Sequence, residues 1–179
     1  MLVLRVASLA ETHAVAAAIA ALARTGDIIV LAGEMGAGKT AFAQGFGKAL
    51  GITEPITSPT FTLVHSYPFG HRRTLHHADL YRLDSTGDVD ELALDELAEF
   101  GGIVLVEWGD VVGGFGDHLE VRLSVPDDDD LDDPERVADD AVLELPGARE
   151  IEIAATGSSW AGRWERLTTA LAGYRAERC

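Results

Sequence analysis

Residues 33–40 read GEMGAGKT, with three glycines leading into an adjacent lysine and threonine. Glycine at 33, 36 and 38 permits a close turn whose successive backbone N–H groups face inward, and such amides at the start of a helix cradle anionic phosphate oxygens. Lys39 supplies a mobile positive charge to the outer phosphates. Thr40 offers a hydroxyl to a magnesium ion that also takes a phosphate oxygen. The competing explanation is a glycine-rich turn that contains GKT by chance. Context decides between them, because this chemistry needs an apolar strand before the loop and a helix after it. Both are present, as Asp27–Leu31 and Thr40–Leu50.

The chain contains no asparagine, which removes the Asn-Lys-x-Asp element that reads guanine in the common GTPases. Residues 84–87 (DSTG) resemble a phosphate-sensing Asp-x-x-Gly, but so short a pattern is readily accidental. ATP is therefore the expected nucleotide. A magnesium ion on it needs a further carboxylate, directly or through its water shell. Asp79 follows a short strand ending at Ala78, and Glu107 follows the apolar strand Ile103–Val106. An acid at the carboxyl edge of a sheet strand lies near the phosphate loop in open α/β folds. Either could equally be a surface acid or a helix cap. Ser58, Thr60 and His77 have ordinary explanations, since turn hydroxyls and strand-end imidazoles are common without catalytic duty.

Positioning these groups takes an alternating frame of strands and helices. Leu2–Val6 alternates as a first strand, and Glu11–Ala23 is an alanine-rich helix ending near Gly26. Pro55 and Pro59 exclude a regular ladder from 51–60. Phe61–Tyr67 and Thr74–Ala78 form two strands around the turn PFGHR, a hairpin. The apolar residues of Asp88–Phe100 recur with a helical period. His118–Val125 alternates as a further strand, and Ala141–Leu145 with Glu150–Ala154 suggest a terminal hairpin. Trp160, Trp164, Leu167 and Leu171 recur at helical spacing, as for a helix docked against the sheet. The expected class is α/β, a phosphate-loop NTPase fold with a mostly parallel or mixed central sheet flanked by helices.

The 179 residues suffice for one domain with a full core, so residues 1–179 are expected to form a single phosphate-loop ATPase domain. The net charge of −16 is concentrated: 126–140 (PDDDDLDDPERVADD) holds nine carboxylates and one arginine, half of the total. Such a run repels itself and supplies no apolar burial, which is the signature of a solvated acidic loop or insertion. The acidic balance also opposes nonspecific binding to a nucleic-acid backbone. Cys179 has no second cysteine for an internal disulfide. No apolar stretch approaches a membrane span and no export signal is evident, so a cytoplasmic location is expected.

Four segments go beyond the generic loop. GEMGAGKTAFAQGF at 33–46, TSPTFTLVHSY at 57–67, HADLYRL at 77–83 and VEWGD at 106–110 resemble, in order and spacing, the TsaE family, once described as the YjeE ATPase. The likeness spans roughly residues 10–125. The family serves bacterial synthesis of the threonylcarbamoyl group on adenosine of tRNAs that read codons beginning with adenine. The resemblance implies that Gly33, Glu34, Met35, Gly36, Ala37, Gly38, Lys39, Thr40 and Ala41 bind ATP or ADP. It implies that Thr40 and Asp79 serve Mg2+, that Glu107 is the acid required for hydrolysis at the metal or at the attacking water, and that Thr60 is a switch residue. Trp108 would lie close to the nucleotide and Thr12 near its adenine end. Gln44 stands where the family often has a basic residue, and Gly109 where proline often follows the tryptophan. The implied partners are TsaB and TsaD, the latter the transferase, with tRNA engaged only indirectly and no sequence-specific nucleic-acid binding by this chain. ATP hydrolysis would reset the TsaB–TsaD complex between cycles. A small-molecule kinase using the same loop, and an assembly factor that acts by binding nucleotide without hydrolysing it, are the alternative readings.

Overall fold

Residues 28–32 and 103–106 are apolar throughout, so strands made from them are stable only with both faces covered. The structure, a computed structural model, describes residues 1–59, 63–81, 92–126 and 148–176 and places both runs at the middle of a seven-stranded sheet. In chain order the elements are β1 (Leu2–Val6), α1 (Leu9–Leu22), β2 (Ile28–Ala32), α2 (Lys39–Ala49), β3 (Val64–Phe69) and β4 (Arg73–Asp79). There follow α3 (Leu94–Glu99), β5 (Gly102–Glu107), α4 (Gly109–Val112), β6 (His118–Ser124), β7 (Arg149–Thr156) and α5 (Trp164–Ala170). The strand order is β1-β7-β6-β2-β5-β4-β3. Strands β6, β2, β5 and β4 run parallel, while β3 pairs antiparallel with β4, β7 with β6, and β1 with β7. The sheet is therefore mixed.

The period of two along the central strands divides the core into two layers. Ile29, Leu31, Ile103 and Leu105 face a larger cluster completed by Val15 and Ile19 of α1, Phe42 and Phe46 of α2, and Leu167 of α5. Ile28, Val30, Val104 and Val106 face the other way, onto Leu94 and Ala98 of α3. Helix α1 starts where Ser8 caps it: the Ser8 hydroxyl accepts the Glu11 N–H at 3.2 Å, and Glu11 reaches back to the Ala7 N–H at 2.6 Å. The first bond satisfies an amide that the helix start leaves open, and the second ties Glu11 to the residue before the cap.

The hairpin predicted around PFGHR is present as β3–β4, with Val64 opposite Ala78 and Phe69 opposite Arg73. Its expected first residues, 61–62, lie outside the described residues, as do 88–91 of the expected acidic helix, whose described part is α3. The terminal hairpin is a correction. Both edges of β7 are taken, by β6 and by β1, so the stretch Arg149–Ile153 has no edge left for 141–145. Alternation identifies a strand but not its neighbours. Residues 141–145 lie outside the described residues, as do 127–140 of the acidic segment. Among the described residues no helix is long and apolar enough to cross a membrane.

Candidate functional site

The loop after β2 folds tightly because its glycines allow it. Gly33 has φ 128°, and a Cβ there would lie 2.1 Å from the Leu123 carbonyl oxygen, so only glycine lets the loop lean on β6. Gly38, at φ 108°, is the residue from which α2 departs. Lys39 opens that helix and folds its side chain back, donating from Nζ to the carbonyls of Gly33 at 2.7 Å and Glu34 at 2.8 Å. The ammonium also sits 3.6 Å from the centre of the Trp108 ring, a cation–π contact. Burial holds the Lys39 pKa below its ordinary 10.5, against the opposing pull of Glu107, Asp110 and Asp79.

The parallel register of β4 and β5 sets Asp79 directly beside Glu107 at the carboxyl end of the sheet. The two acids, 6% and 3% exposed, are held by different donors. Asp79 accepts the Ser58 hydroxyl at 2.6 Å and the Tyr81 N–H at 3.0 Å. Glu107 accepts the Thr40 hydroxyl, at 3.0 and 3.2 Å to its two oxygens, and its Oε1 lies 2.9 Å from Nε2 of the fully buried His77. His77 Nδ1 has no hydrogen-bond partner among the described residues. That leaves Nε2 as the site through which the ring acts, and a proton there makes it a donor to Glu107. Trp108 follows with φ 65°, its N–H bonded to the Leu31 carbonyl, so the strand ends immediately after Glu107, α4 begins, and Trp108 lines the site.

Together these residues enclose a cleft of about 460 Å³, lined among others by Gly38, Lys39, Thr40, Asp79, Glu107 and Trp108. Of the remaining loop positions expected from sequence, Met35, Gly36 and Ala41 also line it. Gly33 and Glu34 present their carbonyls to Lys39, and Ala37 is buried. Thr12 does not line this cleft: it is buried in the first turns of α1, its hydroxyl turned to the Ser8 carbonyl at 3.3 Å. Thr60 lies outside the described residues. Sequence reasoning gave Ser58 and His77 ordinary explanations, yet the structure brings each onto one of the two acids. It also passed over Tyr81, whose ring lies 5.0 Å from Trp108, and Arg149, whose Nε donates to the Ala37 carbonyl at 2.7 Å. The adjacency of His77 to the recognised Asp79 was the available signal for the first; for Arg149 there was none.

The donors fit a magnesium-bound nucleotide in kind. Two carboxylates and two hydroxyls are hard oxygen ligands, and magnesium is usually held by one or two carboxylates together with phosphate oxygens. Loop glycines with positive φ and a buried ammonium suit the phosphates.

The model of the family described as "Threonylcarbamoyl adenosine biosynthesis protein TsaE" matches residues 6–135. The tRNA threonylcarbamoyladenosine biosynthesis protein TsaE of Bacillus subtilis (strain 168) is 43% identical over 102 residues, covering 57% of this chain and 63% of that protein. The protein of the same description from Nostoc is 47% identical over 88 residues, covering 48% of this chain and 54% of the relative. The match thus spans less than two thirds of either. The Streptomyces coelicolor protein of that description is 35% identical over 146 residues, covering 80% of this chain and 89% of its own length. Among solved structures, one described as "Crystal structure of Bacillus subtilus YdiB" superposes with a TM-score of 0.66 at 31% identity, over 96% of this chain and 94% of that one.

Proposed function

The chain belongs to the TsaE family of tRNA threonylcarbamoyladenosine biosynthesis proteins, and on that premise we propose that it is a magnesium-dependent ATPase serving this modification. The observation that carries the reading is the convergence of Lys39, the Thr40 hydroxyl and the side-by-side acids Asp79 and Glu107 on one cleft beside the glycine loop. One seven-stranded sheet running from Leu2 to Thr156 supports a single ATPase domain.

In this reading the reaction is in-line attack of water on the terminal phosphoryl group, with release of free phosphate. The loop amides and Lys39 offset charge that accumulates on the transferring oxygens. To do so, Lys39 exchanges its two carbonyl acceptors for phosphate oxygens. Thr40 and Asp79 would hold a magnesium ion, which supplies further charge compensation at the phosphates. Ser58 and the Tyr81 N–H orient Asp79 for that task. Glu107 positions the attacking water, its carboxylate steadied through Oε1 by His77. Trp108 forms part of the wall of the cleft. The likeness to TsaE proteins supports TsaB and TsaD as partners, with hydrolysis resetting their complex in the cytoplasm.

Glu107→Gln tests the reading, because it keeps the side chain's size and removes its charge. The variant should bind Mg-ATP with near-parental affinity and hydrolyse it about a hundredfold more slowly in a single turnover. With purified TsaB, TsaD and tRNA it should fail to sustain repeated modification. Free phosphate released at the parental rate would remove Glu107 from the chemistry. Phosphate found on an added metabolite instead of in solution would replace the hydrolase by a kinase, and repeated modification supported by an inert ATP analogue would replace it by a binding factor.

A further inference from the structure

The glycine loop meets a cation on each side. On the cleft side Lys39 binds the carbonyls of Gly33 and Glu34. On the far side Arg149, the first residue of β7, donates Nε to the Ala37 carbonyl at 2.7 Å and reaches the Gly36 carbonyl with Nη2 at 3.4 Å. Its third nitrogen, Nη1, is bonded to the Ala148 carbonyl at 2.6 Å, which fixes the guanidinium at its base. A planar guanidinium with separate nitrogens suits this spread of acceptors; an ammonium has one nitrogen to share among them.

The consequence lies in the peptide planes. In a trans peptide the carbonyl and the following N–H point in opposite directions. Holding the Ala37 carbonyl outward therefore turns the Gly38 N–H inward, and Gly38 lines the cleft. The preceding plane is fixed twice, by Arg149 at the Gly36 carbonyl and by the Ala37 N–H bonded to the Glu34 carbonyl at 3.1 Å. Lys39 must leave its carbonyls to meet a phosphate, whereas nothing in the phosphate chemistry asks Arg149 to move.

We propose that Arg149 is a positioning residue for the phosphate loop, an outer clamp that keeps the Gly38 amide turned into the cleft before nucleotide arrives. Arg149 lies beyond residues 6–135, so the family match does not assign it. The proposal rests on reading the cleft as an ATP site, and its ground is preorganisation: a cradle already formed spares the ligand the cost of ordering it.

The test compares the full-length parent with Arg149→Met, which keeps the stem and loses every donor, and with Arg149→Lys. In nucleotide-free protein, amide hydrogen exchange across 33–38 should quicken in Arg149→Met, with exchange in β2 and β5 unchanged. Mg-ATP should bind about tenfold more weakly, and the KM for ATP should rise by about the same factor with kcat nearly unchanged, the signature of lost uniform binding. Arg149→Lys should fall between the two. Parental loop exchange and affinity in Arg149→Met would overturn the proposal, as would a fall in kcat at unchanged KM. Should Arg149→Met not fold, parental loop exchange in Arg149→Lys would overturn it equally, and faster loop exchange would support it. Loop exchange is read without nucleotide, so a parent that binds no ATP defeats the functional reading while the clamp is still decided.

Discussion

Two buried cations in this molecule are treated in opposite ways. Arg163, just ahead of α5, commits both terminal nitrogens: they contact Asp27 at 2.5 and 2.8 Å and bond the carbonyls of Leu22 and Ser159 at 2.9 and 2.6 Å. The Trp160 ring lies against its guanidinium at 4.0 Å, and Asp27 also accepts the Arg24 N–H at 2.7 Å. Lys39 is as deeply buried, yet its ammonium holds two carbonyls and an indole face, with Asp79 and Glu107 nearby but bonded to other donors. The first arrangement ties the end of α1 to the C-terminal part of the chain and has no reason to open. The second leaves a cation with partners it can exchange. Burial of charge is common to both; what separates a structural site from a reactive one is how completely the partners are committed.

That contrast can be broken by mutation. Arg163→Met should produce the largest effect, a loss of about 3–5 kcal/mol in urea unfolding, because Asp27 is left charged and buried without its partner. Replacing both partners, Arg163→Met with Asp27→Leu, should recover much of that loss. No recovery would mean that the carbonyl bonds to Leu22 and Ser159, not the ion pair, carry the network. Lys39→Met should instead spare the fold and weaken Mg-ATP binding by roughly a hundredfold. Calorimetric titration showing parental affinity would take Lys39 out of the site.

The depressed pKa of Lys39 adds a pH signature. The folded protein gives up this proton at a lower pH than the unfolded chain, so the burial penalty is complete at neutral pH and is relieved as pH rises toward 10.5. The stability of the parent relative to Lys39→Met should climb with pH in that window. A flat difference would mean that the ammonium is not desolvated.

The smallest effect belongs to Asp117, whose carboxylate accepts the N–H groups of Ser158 and Ser159 at 2.8 and 3.0 Å and so steadies the turn that feeds Arg163. The Ser158 N–H, then that of Ser159 and the Ser158 hydroxyl, hold its pKa below 3.8. Its contribution is complete above that value and disappears as pH falls through the folded pKa. Asp117→Asn should therefore lower stability slightly at neutral pH, with parent and variant converging as pH falls through the folded pKa. An unchanged acid limb would show that the turn does not need the charge.

Whatever depends on neighbours in sequence was legible; whatever depends on pairing across the sheet was not. The strand–loop–helix around Lys39 announces itself because the branched run, the glycines and the helix follow one another directly. Asp79 and Glu107 were recognisable as strand-end acids, but only the β4–β5 register makes them adjacent. Ser58 and His77 looked ordinary because their partners stand 21 and 30 residues away. Arg149 and Arg163 reach across 112 and 136 residues, to Ala37 and Asp27, and no local pattern points to either pairing. The expected 141–145 partner for the last strand failed for the same reason. Two alternating runs near each other suggest a hairpin, but β7 found its neighbours in β6 and β1.

The position of β1 has a consequence for the order in which a ribosome can complete this molecule. Leu2–Val6 leave the tunnel before every other described strand, yet their partners are Arg149–Ile153 on one side and Arg175 and Ala176 on the other. Strands β2, β4 and β5, with the two acids they carry, can associate while most of the last third is still being made. The N-terminal strand must wait, its amides and carbonyls solvated, until Arg149 emerges. The same residue that begins closure of the sheet over β1 also brings the guanidinium to the back of the glycine loop. A nascent chain stalled before it would already hold the paired acids, but both its first strand and its loop would lack their last support.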